Sequence, residues 1–197
     1  MPLRLPLLLP RPRKIIVAGG LVRPPGPPAL ERDPTLPAQG YALDLRPDEV
    51  RIRFADEAGR RYALATLGQL AAQADEGLPC LAIEDWPDFP VRGYMLDVSR
   101  DRVPTRETLA RVVDLLALLR LNHLQLYTEH TFAYAAHPEV WRDASPLLPD
   151  DIRWLDALCA ERGIELAANQ NGFGHMERWL KHERYRPLAE APDGWRT

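Results

Sequence analysis

Phe89-Pro90-Val91-Arg92-Gly93-Tyr94-Met95-Leu96-Asp97-Val98-Ser99-Arg100 is the stretch whose reading decides the fold. A guanidinium stands just before a short apolar run, Tyr94–Val98, that reads as a strand. The run ends in polar residues and opens toward Val103-Pro104-Thr105, where Thr105 suits a helix N-cap. Leu109, Val112, Val113, Leu116 and Leu119 then share one helical face. A strand followed directly by a helix is a β/α unit.

The same grammar continues downstream. Leu124–Tyr127 reads as a second strand, followed by a long polar and aromatic loop over 129–149. A second helix starts near Asp150-Asp151, whose carboxylates favour a helix N-terminus, and ends at Gly163. Ile152, Leu155, Leu158 and Cys159 form its apolar face, and Ile164–Ala168 is the third strand. Strand–helix–strand–helix–strand predicts adjacent parallel strands with right-handed crossovers, and the helices of 105–119 and 151–162 on one side of them. An open doubly wound sheet and a barrel both satisfy that order.

Upstream of residue 89 the pattern differs. Lys14–Ala18 is a β-branched run closed by Gly19-Gly20, and Arg23-Pro24-Pro25-Gly26-Pro27-Pro28 reads as a surface loop. Tyr41–Leu45 and Val50–Phe54 alternate apolar and polar residues around Arg46-Pro47-Asp48-Glu49, which is a hairpin signal. Tyr62–Ala74 has Leu64, Leu67, Leu70 and Ala71 at helical spacing, with Gly77 where a helix end is expected. Cys80–Ile83 reads as another strand. Residues 1–88 therefore form a small α+β domain, and residues 89–197 the α/β series.

Composition narrows the classes of function. Hydrophobic residues make up 46% and charged residues 27% of the 197, as in an ordinary globular protein. A net charge of -3 provides no field for nucleic acid or an anionic membrane. Lys14 and Lys181 are the only lysines, so 23 of the 25 basic residues are Arg, whose planar forks suit hydroxyls and carboxylates. The two cysteines, Cys80 and Cys159, lie in apolar runs and read as buried thiols. The five histidines form no zinc signature, and no Gly-rich phosphate loop follows a strand, which disfavours a nucleotide-binding domain. Met1–Pro10 is short and proline-broken, a poor signal peptide, so the expectation is a soluble cytoplasmic protein without a membrane span.

Ligands of α/β folds gather at the C-terminal ends of parallel strands. Three clusters fall there: Asp97–Arg100, Thr128-Glu129-His130-Thr131, and Asn169-Gln170-Asn171-Gly172-Phe173-Gly174-His175-Met176. Their amides, imidazole and carboxylate offer the donors and acceptors that hydroxylated ligands demand. Each has a plainer reading. Glu129 can be a solvated loop carboxylate, His175 a loop or cap residue, and Arg92 an ion-pair partner. Asp97 reads as a structural partner of Arg100, and the five tryptophans as packing.

Together, Arg92-Gly93 through Arg100, Leu121-Asn122-His123-Leu124-Gln125-Leu126-Tyr127 and Gly172-Phe173-Gly174-His175-Met176 resemble family 20 glycoside hydrolases, the β-N-acetylhexosaminidases. Tyr62–Leu70 and Ile83–Pro90 resemble the small domain that precedes their barrel. The resemblance implies the first three or so β/α units of a TIM-type (β/α)8 barrel, truncated, and a carbohydrate substrate with no cofactor or metal. It implies that Arg92 grips ring hydroxyls of a terminal N-acetylhexosamine, with Glu129, Asn171 and His175 also binding substrate. The family's retaining mechanism uses the substrate's own acetamido oxygen, an Asp that orients it and a Glu that protonates the leaving oxygen. No such Asp-Glu pair follows His175, so the expectation is a fragment whose catalytic pair lies beyond residue 197, inactive alone and able to self-associate through an exposed barrel edge. The alternative is a non-catalytic carbohydrate-binding or interaction module. Here Gln125–His130 and Asn169–Phe173 depart from the family's His-rich and acidic-Pro runs.

Overall fold

The computed structural model describes residues 7–23, 27–74, 77–100 and 102–191. Pro24-Pro25-Gly26 of the proline loop, the start of the signal-like segment and Trp195 lie outside the described residues. The chain divides into two compact units: one runs to Arg92 and includes Ala117–Arg120, and the other comprises Gly93–Leu116 and the residues from Leu121 onward. None of the described helices is long and apolar enough to cross a membrane.

In the first unit, β1 (Lys14–Leu21), β2 (Ala29–Arg32), β3 (Tyr41–Arg46), β4 (Glu49–Phe54) and β5 (Pro79–Asp85) form one sheet in the order β1-β5-β3-β4-β2. Neighbours are antiparallel except the β2–β4 pair. The alternating residues Leu43 and Leu45 stand opposite Ile52 and Val50 on one side and Ile83 and Leu81 on the other, all buried. Helix α1 (Glu57–Ala71) adds Tyr62, Ala63, Thr66 and Leu70 to this core. It begins five residues before Tyr62 because the Asp56 side chain caps it, accepting from Gly59 N at 2.9 Å. A Cβ at Gly59 would meet Gly40 O at 2.2 Å, so only glycine allows the helix this close to the chain entering β3. The helix stops at Ala71 with a right-handed cap at Ala72; Gly77, at φ 136°, belongs to the loop beyond, so it is not the helix end the sequence suggested. β1 continues through Gly19-Gly20 instead of closing there, because both glycines take positive φ in an irregular stretch of its pairing with β5.

The second unit holds a parallel sheet of β6 (Gly93–Asp97), β7 (His123–Thr128) and β8 (Glu165–Gln170), in that order. Its rows are in register: Tyr94, Leu124 and Leu166; Leu96, Leu126 and Ala168; Asp97, Tyr127 and Asn169. Leu124 and Leu126 are buried on one face, and α2 (Arg106–Leu118) buries Leu109, Val113 and Leu116. Thr105 Oγ1 accepts from Thr108 N at the start of α2, as its N-cap position predicts. The long loop carries α3 (Pro138–Trp141) and folds back on itself through a bridge between Phe132 and Leu147. α4 (Pro149–Arg162) starts with the Asp151 carboxylate accepting from Leu148 N at 2.8 Å and ends at Gly163 with φ 71°. After β8 come α5 (Glu177–Leu180) and a 3₁₀ turn over Arg186–Leu188. The architecture is thus mixed α/β, with the antiparallel and parallel sheets in separate units.

Candidate functional site

The C-terminal ends of β6, β7 and β8 bring the three polar clusters of the second unit together. Glu129 follows β7, and its side chain is only 5% exposed. Its carboxylate receives Arg100 Nη1 at 3.1 and 3.3 Å and the Tyr127 hydroxyl at 3.0 Å. Its main-chain N donates to Ser99 Oγ at 2.9 Å, which in turn donates to Tyr127 O. Asp97 accepts from Ser99 N at 2.8 Å and lies 3.4 Å from Arg100 Nε, so its ordering role is the one read from the sequence.

Asn171 closes the group from β8. Its Nδ2 donates to Tyr127 Oη at 2.6 Å, so that phenol accepts from Asn171 while donating to Glu129. Burial, and then the bond to Glu129, raise the Tyr127 pKa and keep it a donor. Asn171 Oδ1 accepts from Phe173 N and Gly174 N, both at 3.2 Å, an Asx-type turn that leads into His175 at φ 51°. A non-glycine residue in that region is sterically costly and is held by its surroundings.

Ser99, Arg100, Glu129, His130, His175 and Arg178 line a polar cleft of about 240 Å³. A larger groove of about 400 Å³, lined by Leu126, Leu147, Ile152, Leu166 and Ala168, lies on the apolar face of β8. That groove is mostly apolar, so the smaller cleft is the candidate site. The Arg100 side chain is 56% exposed while anchored by two carboxylates. A preoriented guanidinium beside a buried carboxylate offers paired donors and an acceptor to adjacent hydroxyls.

Of the expected site residues, Glu129, Asn171 and His175 belong to this cluster, and Arg92 does not. Arg92 precedes β6, at the strand end opposite Asp97–Arg100, and it folds with the first unit. Its Nε and Nη2 donate to Arg120 O, Nη1 to Gln39 Oε1 and Phe89 O, and Nη2 also to Tyr62 Oη at 2.6 Å. All five N–H groups of the fork are thereby engaged within the unit. Tyr127 is not singled out by the sequence reading, whereas Ser99 and Arg100 belong to the Asp97–Arg100 cluster expected at this strand end. Arg100 reads from the sequence as a partner of Asp97, and its place just beyond the C-terminal end of a strand is the signal for a second role.

Comparisons with known proteins address the family of the chain. Residues 8–86 match glycosyl hydrolase family 20, domain 2, and residues 89–190 match the glycosyl hydrolase family 20 catalytic domain. The chain is 31% identical over 165 residues to a beta-hexosaminidase of Akkermansia muciniphila, covering 73% of this chain and 33% of that protein. It is 31% identical over 169 residues to N,N'-diacetylchitobiase of Vibrio harveyi, covering 78% of this chain and 18% of that one. It therefore spans a third or less of these two relatives. A crystal structure of a beta-N-acetylhexosaminidase superposes with a TM-score of 0.79 at 27% identity, over 91% of this chain and 42% of the other. On two adjoining profile matches that together take in both units, the chain belongs to glycosyl hydrolase family 20.

Proposed function

We propose that this chain carries the sugar-holding part of a β-N-acetylhexosaminidase, with β6, β7 and β8 as the first three strands of a (β/α)8 barrel. The supporting observation is the meeting of Arg100, Glu129 and the Tyr127–Asn171 pair beyond the C-terminal ends of adjacent parallel strands, where barrel enzymes bind their substrates. Arg100 takes the ring-gripping role expected of Arg92: its fork donates to two adjacent hydroxyls of the terminal N-acetylhexosamine, and Glu129 accepts from one of them. His175 borders the same cleft and contributes a further donor or acceptor.

Hydrolysis in this reading is substrate-assisted and retaining. The 2-acetamido oxygen attacks the anomeric carbon, an Asp orients the amide, and a Glu protonates the leaving oxygen. The work of Arg100, Glu129, Asn171 and His175 in this mechanism is binding and orientation, which fixes the ring for the attack.

The test is a titration of the chain with N-acetylglucosamine, followed by NMR, with glucose as control. Saturable binding of N-acetylglucosamine is expected. Arg100→Lys should weaken it by roughly ten- to a hundredfold, the loss of hydrogen bonds from a charged fork, at temperatures where the variant is folded. Equal response to glucose, or an unaffected Arg100→Lys variant, overturns the reading.

A further inference from the structure

The main-chain carbonyl of Glu129 is gripped from two directions. Trp179 Nε1 donates to it at 2.7 Å from α5, and Gln170 Nε2 at 3.0 Å from the end of β8. Neither contact touches the carboxylate. A carbonyl with both lone pairs engaged by side chains has its peptide plane fixed, and with it the direction in which the Glu129 side chain leaves the backbone. We infer that Trp179 and Gln170 are positioning residues that aim the Glu129 carboxylate at the ligand. The inference rests on the functional reading above.

The surrounding contacts make the grip directional. The Tyr134 hydroxyl donates to Gln170 Oε1 at 2.8 Å, so the amide presents its NH₂ to Glu129 O and to Asn171 O at 2.9 Å. Tyr134 is itself held by Trp141 Nε1, which donates to its carbonyl at 2.8 Å. The Trp179 indole is walled by Tyr134, His137 and Tyr185, with ring centroids 6.0, 5.3 and 5.5 Å away. Aromatic packing of this kind fixes the ring plane and aims its single N–H. The loop after β7 and the segment after β8 are thus joined at the one backbone atom next to the site's buried carboxylate. Gln170 also bonds the Asn171 carbonyl, so one amide ties together the backbones of two residues that meet at Tyr127 Oη.

The experiment measures N-acetylglucosamine affinity well below the melting temperature, where loss of stability alone leaves the dissociation constant unchanged. Trp179→Phe keeps the ring packing and removes the donor. It should weaken binding about three- to tenfold, the effect of one hydrogen bond to a fixed carbonyl. Gln170→Leu and Tyr134→Phe should weaken it in the same direction and serve if Trp179→Phe does not fold. Cys159→Ala, in the buried core of α4, is the stability control and should lower the melting temperature while leaving affinity intact. If the variants bind as tightly as the parent, or if Cys159→Ala weakens binding equally, the positioning role is overturned and the functional reading stands. If the parent chain itself does not bind, the functional reading falls and the inference with it.

Discussion

Arg92 Nε and Nη2 both donate to the carbonyl oxygen of Arg120, at 3.0 and 2.8 Å. A sequence-distant loop is thereby pinned by one fork, whose other arms reach Gln39 Oε1 and Tyr62 Oη. Lys cannot reproduce this, because an ammonium is a point donor without a planar edge. Arg92→Lys is therefore expected to lower the stability of the chain by about 1.5–3 kcal/mol while leaving N-acetylglucosamine affinity unchanged at temperatures where it is folded. Denaturant melts beside a ligand titration check this. A melt like the parent's together with weakened binding would return Arg92 to the sugar site.

The Arg120 side chain occupies the core of the first unit. Its guanidinium pairs with Asp85, donates to Thr66 Oγ1 at 2.8 Å, and sits 5.6 Å from the Tyr41 ring centroid; the paired side chains are 6% and 12% exposed. Burial, as the largest cause, pushes the Tyr41 phenol up to about 12, so it stays protonated beside this pair. Asp85→Ala strands a buried charge and should cost about 3–5 kcal/mol. Replacing both partners, Asp85→Leu with Arg120→Met, should cost less than the single change, since no uncompensated charge remains. Equal or greater loss in the double variant would refute this account.

Asp151 gives a pH-dependent contribution at the start of α4. The Leu148 N–H, and after it the Arg106 guanidinium at 2.7 Å, hold its carboxyl below the ordinary value. A folded-state pKa below the unfolded one gives stability that is present above the unfolded value of 3.8 and is lost as pH falls through the folded one. Asp151→Asn should therefore be less stable than the parent by about 1 kcal/mol near pH 6. The gap should narrow as pH drops below 3.8. Paired urea melts across that range decide it, and a gap independent of pH would show that the charge is irrelevant.

Local rules carried much of the fold. Alternation of period two marked β3 and β4, the 3.6-residue spacing of Leu109, Val113 and Leu116 marked α2, and Gly163 marked the end of α4. These signals lie within a few residues of the chain, and each element buries its face in the way its own pattern prescribes. The strand-helix order likewise sufficed for three parallel strands, because crossovers leave few other arrangements. β2 was not legible: it is four exposed residues whose only cause is pairing with β4.

Clustering at the site was legible for Glu129, Asn171 and His175, since they follow strands that must share one end. The identity of the arginine was not. Arg92 stands one residue before β6 and Arg100 three residues after it, and both belong to the same sequence motif. What separates them is the set of acceptors around each: Arg120 O, Phe89 O and Tyr62 Oη for one, the carboxylates of Asp97 and Glu129 for the other. The two gripping donors on Glu129 O come from residues 41 and 50 positions away. Sequence thus determined the elements and the end of the sheet where chemistry gathers, because those depend on local periodicity and chain direction. Tertiary structure alone decided which polar groups find partners within the fold, because hydrogen-bond saturation depends on neighbours that only folding brings within 3 Å.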